Sequence, residues 1–180
     1  MQDTITKPLL KWYGENKRVL PWREKKNPYE IWVSEIMLQQ TRVAAVLGYY
    51  ARFLAVFPTV EALAEADEER LMKLWEGLGY YSRARNLQKA AKEITALGGF
   101  PDTYDGLLAL PGIGDYTAGA ICSICFELPT PAVDGNVLRV LSRVMEDGAS
   151  ITAQKTKNAC REALVPVYEN GPRGTLTQAL

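Results

Sequence analysis

Two carboxylates stand out as groups that could do chemistry in this sequence. Glu35 has the apolar neighbours Trp32 and Ile36 within a helical pattern, and a carboxyl group among apolar side chains tends to keep its proton and can donate it. Asp134 precedes another helical stretch, where an N-capping carboxylate is held in place. An acid paired with an anion is the division of labour that cleaves glycosidic bonds. The alternatives are an exposed helix glutamate and a plain N-cap.

A Gly-x-Gly turn at Gly112 and Gly114 joins two predicted helices, and Tyr116 follows it. Bare backbone N–H groups at a helix start can bind a phosphate. Because the turn lies between helices and not after a strand, it argues against a dinucleotide fold; it could also simply end one helix and begin the next. We hypothesise that three carbonyl oxygens converge here on a monovalent or calcium ion that bridges to the phosphate. These carbonyls belong to Leu108, Leu110 and Ile113.

Two polar runs are typical of a nucleic-acid interface. One includes Gln39, Gln40 and Thr41, and the other includes Tyr80 and Arg83. Amide and aromatic side chains beside arginines can enter a base stack and hold the flanking phosphates. The alternative is a solvated helix face.

Composition limits the chemistry further. The chain of 180 residues has no histidine, so imidazole general bases and histidine zinc ligands are excluded. Its 21 basic and 21 acidic residues argue against a broadly basic DNA-binding face, although local arginines can still bind phosphate. Three cysteines without a signal peptide predict a reduced, cytosolic compartment. Cys122 and Cys125 are predicted to pack in the core, and no apolar run approaches the roughly 20 residues of a membrane span.

Apolar residues recur at spacings of three and four almost throughout, which predicts an all-α protein. Trp12, Trp32 and Trp75 are predicted to lie in the core, whereas Trp22 could line a pocket. The chain stops within a helical pattern and is therefore expected to be a fragment. The predicted helices cover about 6–16, 29–41, 43–57, 59–65, 66–77, 81–97, 103–110, 115–126, 134–145 and 153–165, with a last helix starting near 174.

Five motifs, in one order along most of the chain, carry a resemblance to a known family. The chain resembles the helix-hairpin-helix DNA glycosylases of the endonuclease III superfamily, and among these it is most similar to the MutY-type adenine DNA glycosylases. The motifs are Leu20-Pro21-Trp22-Arg23, the run from Trp32 to Thr41, the run from Trp75 to Arg83, Leu110 to Gly114, and Val133 to Val137.

The resemblance implies a six-helix barrel at 27–128, with the helix-hairpin-helix at about 105–126. A second helical subdomain would combine 1–26 with 129–180, with the pocket in the groove between the two. A [4Fe–4S] loop is expected beyond the end of this chain in a full-length protein, since Cys122, Cys125 and Cys160 lack its spacing. A C-terminal domain that reads 8-oxoguanine is expected there as well.

The implied partner is double-stranded DNA carrying adenine opposite 8-oxoguanine or guanine, bound by a monomer. The adenine is flipped out of the stack and its N-glycosidic bond is hydrolysed. Two other functions stay open: removal of thymine from T:G mismatches, and DNA binding without catalysis, which needs neither carboxylate. The implied location is the cytoplasm of a bacterium, in association with DNA, or the nucleus or mitochondrion of a eukaryote, and not a membrane.

The resemblance also implies individual roles. Glu35 protonates adenine N7, Asp134 stabilises the positively charged sugar, and Asn136 helps hold the nucleophile or water. Tyr116 stands where bifunctional relatives place a lysine, so base removal without efficient strand cleavage is expected. Within the interface, Trp22 and Arg23 line the base pocket, Gln178 contacts adenine, and Gln40 with Tyr80 fills the gap in the stack. The implied DNA- and base-contacting residues are Trp22, Arg23, Leu38, Gln39, Gln40, Thr41, Tyr80, Ser82, Arg83, Gly112, Gly114 and Gln178.

Overall fold

The computed structural model describes residues 5–180, and within that range every regular element is a helix. The predicted all-α class is thereby confirmed. None of the helices in residues 5–180 has the length and apolar character that would let it cross a bilayer.

The chain divides into two compact units. The central unit is the continuous segment Lys25–Gly114, and the terminal unit combines the chain up to Glu24 with Asp115–Leu180. The helices of the central unit are α2 (Pro28–Leu38), α3 (Val43–Val56), α4 (Val60–Ala64), α5 (Glu68–Trp75), α6 (Ser82–Ala96) and α7 (Tyr104–Leu108). Those of the terminal unit are α1 (Lys7–Asn16), a short 3-10 helix (Pro21–Arg23), α8 (Asp115–Cys125), α9 (Gly135–Val144), α10 (Gln154–Glu169) and α11 (Arg173–Ala179).

Polar caps start the helices of the central unit where the sequence indicates. The Thr59 hydroxyl accepts the Ala62 N–H at the start of α4, and Asp67 accepts the Arg70 N–H at the start of α5. Such a cap satisfies one of the N–H groups that the first turn leaves without a partner. The predicted starts of both helices are confirmed.

Aromatic side chains fill the core of the central unit. Trp32 and Trp75 are fully buried, as predicted. Trp75 meets Phe53 edge to face with ring centroids 6.1 Å apart, and Trp32 meets Phe100 at 5.6 Å. Offset and edge-to-face rings contribute about 0.5–1.5 kcal/mol beyond their buried area, so these contacts join α3 to α5, and α2 to the segment before α7.

The terminal unit has its own apolar core. The backbones of α8 and α11 approach each other closely in this unit, since a Cβ on Gly174 would stand 3.0 Å from the Cα of Ile124. Beside it, Ser123 Oγ lies 2.7 Å from Thr177 Oγ1, which in turn lies 3.0 Å from the Tyr168 hydroxyl. One buried apolar cluster of this core consists of Val137, Leu138, Leu141, Cys160, Leu164, Val167, Tyr168 and Leu176.

Because α8 packs on α11, the compact units separate after Gly114. The barrel that the resemblance implies ends later, at residue 128. The barrel of six helices itself stays a prediction.

Three predictions about local structure are wrong. Trp12 is 56% exposed, because α1 buries the neighbouring Tyr13 instead. Helix α2 ends at Leu38, so the predicted helical extension through Thr41 is a loop. Helix α10 continues through Pro166 to Glu169 although the sequence ended it at about 165. The burial of Val167 and Tyr168 offsets the hydrogen bond that the proline cannot make.

Candidate active site and nucleic-acid interface

Glu35 lies on the most buried part of α2. Within residues 31–37, every other side chain is buried and Glu35 alone is half-buried. Its helix is held at its start by Asn27, whose side-chain oxygen accepts the N–H groups of Tyr29 and Glu30. The stretch presents one carboxyl group, and its other residues are apolar except Ser34, whose hydroxyl donates to the Ile31 carbonyl; this is the setting expected of a proton donor.

Asp134 is the N-cap of α9, as predicted. Its Oδ1 accepts the backbone N–H groups of Asn136 and Val137, both at 2.8 Å, and its Oδ2 accepts the Asn136 side-chain amide at 2.9 Å. Three donors thus hold a half-buried carboxylate in one orientation. The Asn136 side chain acts on Asp134 directly and is a positioning group for it.

Tyr116 is the second residue of α8 and is half-buried. The residue before it, Asp115, forms an ion pair with Arg161 at 3.3 Å. From Thr117 to Ile124 the helix is buried, so Tyr116 marks the point at which the start of α8 emerges from the terminal core. A phenol has no amine with which to form a Schiff base.

The turn before α8 requires glycine at position 112. Gly112 has φ 77°, and a Cβ there would stand 2.7 Å from the Cβ of Asn86. The Ile113 N–H donates to the Leu110 carbonyl at 3.2 Å, which closes the turn. Gly112 and Gly114 are both exposed, so the backbone of this turn is accessible to a ligand.

The hairpin cation stays a prediction, and the carbonyls proposed for it differ in setting. Leu110 and Ile113 are buried and Leu108 is 39% exposed. The Leu110 oxygen already accepts the turn hydrogen bond, which leaves it one lone pair for an ion. Among residues 5–180 there is no cluster of three or more His, Cys, Asp or Glu side chains that could hold a metal.

The residues present do not fit an iron–sulfur cluster. A cluster of this kind is held by four thiolates, and the chain has three cysteines. Cys122 and Cys160 are buried in the terminal unit, which confirms core packing for Cys122, while Cys125 is half-buried.

Two exposed loop tips of the central unit carry the residues predicted to enter the base stack. Gln40 follows α2 with φ 59°, and Tyr80 precedes α6 with φ 49° and is 63% exposed. Both non-glycine residues are in the left-handed region, which costs roughly 1–2 kcal/mol each. Of their neighbours, Gln39 and Ser82 are exposed and Leu38 and Thr41 are half-buried.

Arg83 is one of the predicted DNA contacts, and in the structure its two terminal nitrogens donate to main-chain carbonyls of both loops. Sequence reasoning missed this role because the carbonyl acceptors have no side-chain signature.

A cavity of about 70 Å³ lies within the central unit beside these loops. It brings together residues from α2, α6 and the hairpin turn. The lining residues are Trp32, Ile36, Gln39, Ser82, Arg83, Asn86, Leu87, Pro111 and Gly112.

In the terminal unit, Gln178 is held from two sides. The Tyr13 hydroxyl donates to Gln178 Oε1 at 2.8 Å, and Arg23 donates to its backbone oxygen at 3.3 Å while lying 5.4 Å from the Tyr13 ring centroid. Burial raises the pKa of Tyr13, so the phenol keeps the proton that it donates. The neighbouring Trp22 is buried. With its oxygen engaged, the Gln178 amide offers its N–H donors to a ligand; sequence reasoning missed Tyr13, 165 residues away.

Comparison with known proteins places this arrangement in context. The family model described as "HhH-GPD superfamily base excision DNA repair protein" matches residues 33–166. The chain is 50% identical over 156 residues to the adenine DNA glycosylase of Rattus norvegicus, covering 81% of this chain and 30% of the relative. It is 48% identical over 138 residues to that of Buchnera aphidicola subsp. Baizongia pistaciae, covering 75% and 39%. The chain therefore spans only 30% to 39% of the length of these relatives.

Solved structures share the fold. A thermostable thymine-DNA glycosylase superposes with a TM-score of 0.88 at 25% identity, covering 99% of this chain and 83% of that one. A trapped endonuclease III–DNA covalent intermediate superposes with a TM-score of 0.76 at 23% identity, with the same coverage. The second similarity shows the fold alone.

Proposed function

The chain belongs to the HhH-GPD superfamily of base excision DNA repair proteins, and on that premise we propose that it is the catalytic core of an adenine DNA glycosylase. The observation that carries the proposal is the Asp134 carboxylate, which three donors hold in one orientation at the start of α9. Identities of 48–50% to adenine DNA glycosylases support adenine as the base.

The proposed reaction is hydrolysis of the bond between adenine and deoxyribose. Glu35 gives its proton to N7 of the flipped adenine, and the electron pair of the N-glycosidic bond leaves with the base. Asp134 stabilises the positive charge that develops on the sugar. Water then adds to the sugar carbon and loses a proton, which leaves an abasic site.

Base recognition is assigned to the terminal unit. With its oxygen engaged by Tyr13, the Gln178 amide can donate to a ring nitrogen of adenine. Arg23 supports the same residue through its backbone oxygen, which links the predicted pocket residues Arg23 and Gln178.

The proposed partner is double-stranded DNA with adenine opposite 8-oxoguanine or guanine, acted on by a monomer. Gly112 and Gly114, exposed at the hairpin turn, would bind a backbone phosphate through their N–H groups, and the cation at the turn would strengthen that contact. The proposed compartment is the one that contains DNA, which is the cytoplasm of a bacterium or the nucleus or mitochondrion of a eukaryote.

Thymine removal from T:G mismatches is the second candidate. The superposition on a thermostable thymine-DNA glycosylase, at a TM-score of 0.88, favours it. Adenine is preferred because the identity to that protein is 25%, against 50% to the rat adenine DNA glycosylase. A non-catalytic DNA-binding module is disfavoured because binding requires neither Glu35 nor Asp134.

Incubation of the protein with labelled duplexes, followed by alkali, separates the three functions. Abasic sites in the duplex with adenine opposite 8-oxoguanine are expected. Cleavage only in a T:G duplex would support thymine removal, and binding without an abasic site in either duplex would support the non-catalytic module.

Glu35→Gln tests the proton donor within the same assay. The amide keeps the shape of the side chain but has no acidic proton, so single-turnover excision should be abolished while DNA affinity stays within about twofold. Normal excision by this variant would remove Glu35 from the mechanism. Glu30→Gln is the matched control and should excise normally, because Glu30 lies half-buried on the same helix and pairs with Lys25 at 3.3 Å.

A further inference from the structure

We propose that Arg83 is a positioning residue that braces the two loops carrying Gln40 and Tyr80 into one preorganised wedge for opening the duplex. Only the action of these loops on DNA rests on the proposed function. The bracing itself is a property of the central unit.

One side of the guanidinium holds the end of α2. Nη1 donates to the carbonyls of Ile36, Met37 and Gln39 at 2.8, 3.2 and 2.7 Å. The last carbonyls of a helix have no partner within it, so Arg83 supplies what the next turn would have supplied. The α2 chain can therefore leave the helix at Leu38 and reach Gln40 in its left-handed conformation.

The other terminal nitrogen holds the loop before α6. Nη2 donates to the carbonyls of Leu78 and Gly79 at 3.1 and 3.2 Å, and the guanidinium lies 5.6 Å from the Tyr80 ring centroid. Trp75 adds a hydrogen bond from its indole N–H to the Gly79 carbonyl at 3.1 Å. One side chain therefore joins the segment before Gln40 to the segment before Tyr80.

Both tips need such a brace. Gln40 and Tyr80 have positive φ angles of 59° and 49°, and a non-glycine residue stays in that region only where its surroundings hold it there. A loop already ordered loses less conformational freedom when it enters DNA. The bracing would therefore lower the cost of separating stacked bases.

The planar fork of arginine is essential to this arrangement. The two terminal nitrogens of the rigid, planar guanidinium donate to five carbonyls. Lysine instead carries a single ammonium with three donors on a flexible stem. Arg83→Lys keeps the positive charge and loses the hydrogen bonds that join the two loops. Arg85→Lys is the matched control, since Arg85 lies on the same helix and pairs with the exposed Glu68 at 3.0 Å.

Hydrogen exchange tests the bracing without DNA. In Arg83→Lys, amides in peptides covering 36–42 and 76–82 should exchange at least about tenfold faster, while those of α4 and the terminal unit should change little. Arg85→Lys should leave both loops unchanged. Unaltered exchange of the two loops in a folded Arg83→Lys protein would overturn the bracing. Arg83→Gln, whose amide can still donate to two carbonyls, is measured in parallel so that misfolding of one variant leaves a test.

Excision then tests the wedge. Arg83→Lys should lose about tenfold or more in single-turnover excision of adenine from a duplex in which that adenine is paired with 8-oxoguanine. Adenine in a bulge is already unstacked, and its excision should stay within about twofold of the wild-type rate. Equal loss on both substrates would show a merely structural role and overturn the wedge. The proposed function fails separately, if the wild-type protein excises adenine from neither substrate.

A double-mutant cycle identifies the residues through which Arg83 acts. If Arg83 works by positioning Gln40 and Tyr80, the Arg83→Lys change should add little to a Gln40→Ala, Tyr80→Ala protein on the paired duplex. Fully additive losses would contradict action through these two side chains.

Discussion

Tyr116 is the residue from which we predict that Schiff-base chemistry is excluded. It lies half-buried at the start of α8, where the helix emerges from the terminal core. Its phenol cannot attack the sugar as an amine does. The resulting expectation is base removal that leaves the DNA strand intact.

Replacing Tyr116 with lysine should convert part of the activity to Schiff-base chemistry. A lysine amine at this position can condense with the sugar, and borohydride should then trap a protein–DNA adduct in a yield of at least a few per cent. The adduct is measured as a shifted band on a denaturing gel. Tyr81→Lys, which adds an amine at the exposed start of α6, is the control and should trap none. Without an adduct in Tyr116→Lys, position 116 does not face the sugar.

At single positions, the sequence gives the chemical type of a side chain but does not predict whether that side chain is buried. Trp12 and Tyr13 are adjacent aromatic residues of α1, yet Trp12 is 56% exposed and Tyr13 is 5% exposed. The choice depends on α11, to which Tyr13 is hydrogen-bonded across 165 residues. A local pattern holds no information about so distant a contact.

Among the elements, the start of α9 combines a structural and a chemical role in one side chain. Asp134 caps the helix through two backbone N–H groups and binds the Asn136 amide. Asparagine is about as good a cap as aspartate, whereas alanine is a poor one. Changes at this position can therefore separate the two roles.

Asp134→Asn should keep the free energy of unfolding within about 0.5 kcal/mol, because the cap is retained, and should still abolish excision. Asp134→Ala should lose excision as well and also lose about 1 kcal/mol of stability. Urea unfolding and single-turnover excision measure the two effects. Full excision by Asp134→Asn would reduce Asp134 to a helix cap.

Most helices could be predicted from apolar spacing and caps, as Thr59 and Asp67 illustrate. The exceptions have tertiary causes. Helix α2 ends at Leu38 where Arg83, from another helix, takes up its last carbonyls, and α10 passes Pro166 because Val167 and Tyr168 are buried. Neither cause is visible in the local sequence.

For the whole molecule, each compact unit contains a buried tyrosine that resists ionisation. Burial raises the pKa of Tyr29 in the central unit, with Tyr50 adding to the shift, and burial also raises the pKa of Tyr168 in the terminal unit. Below about pH 10, the usual tyrosine pKa, these phenols are neutral in both the folded and the unfolded chain. Their contribution to stability is therefore complete there.

Stability should fall as the pH rises above about 10. The unfolded chain then releases protons that the folded chain retains, so each such tyrosine lowers the free energy of unfolding by about 1.4 kcal/mol per pH unit until the folded pKa is passed. Urea unfolding between pH 8 and about 11 measures the slope. Tyr29→Phe should lose stability below about pH 10, because the Phe57 carbonyl loses its 2.7 Å hydrogen bond, and its slope above pH 10 should be shallower. An unchanged slope would contradict the assignment.

The family and its helical fold could be predicted from the five sequence motifs, because their order and spacing extend over most of the chain. The position of Gln178 beside Tyr13 and Arg23 could not, since it joins the two ends of the chain. The orientation of the candidate base-recognising amide is therefore a property of the assembled terminal unit.

That same arrangement sets an order for folding during synthesis. The central unit is one continuous segment, Lys25–Gly114, and can complete its contacts once that segment has left the ribosome. Helix α1 is made first but must wait for α11, the last helix of the described chain, before Tyr13 reaches Gln178. The nascent protein therefore holds the candidate proton donor in place before it can hold the base, and emergence of α11 from the ribosome completes the base-recognition contacts.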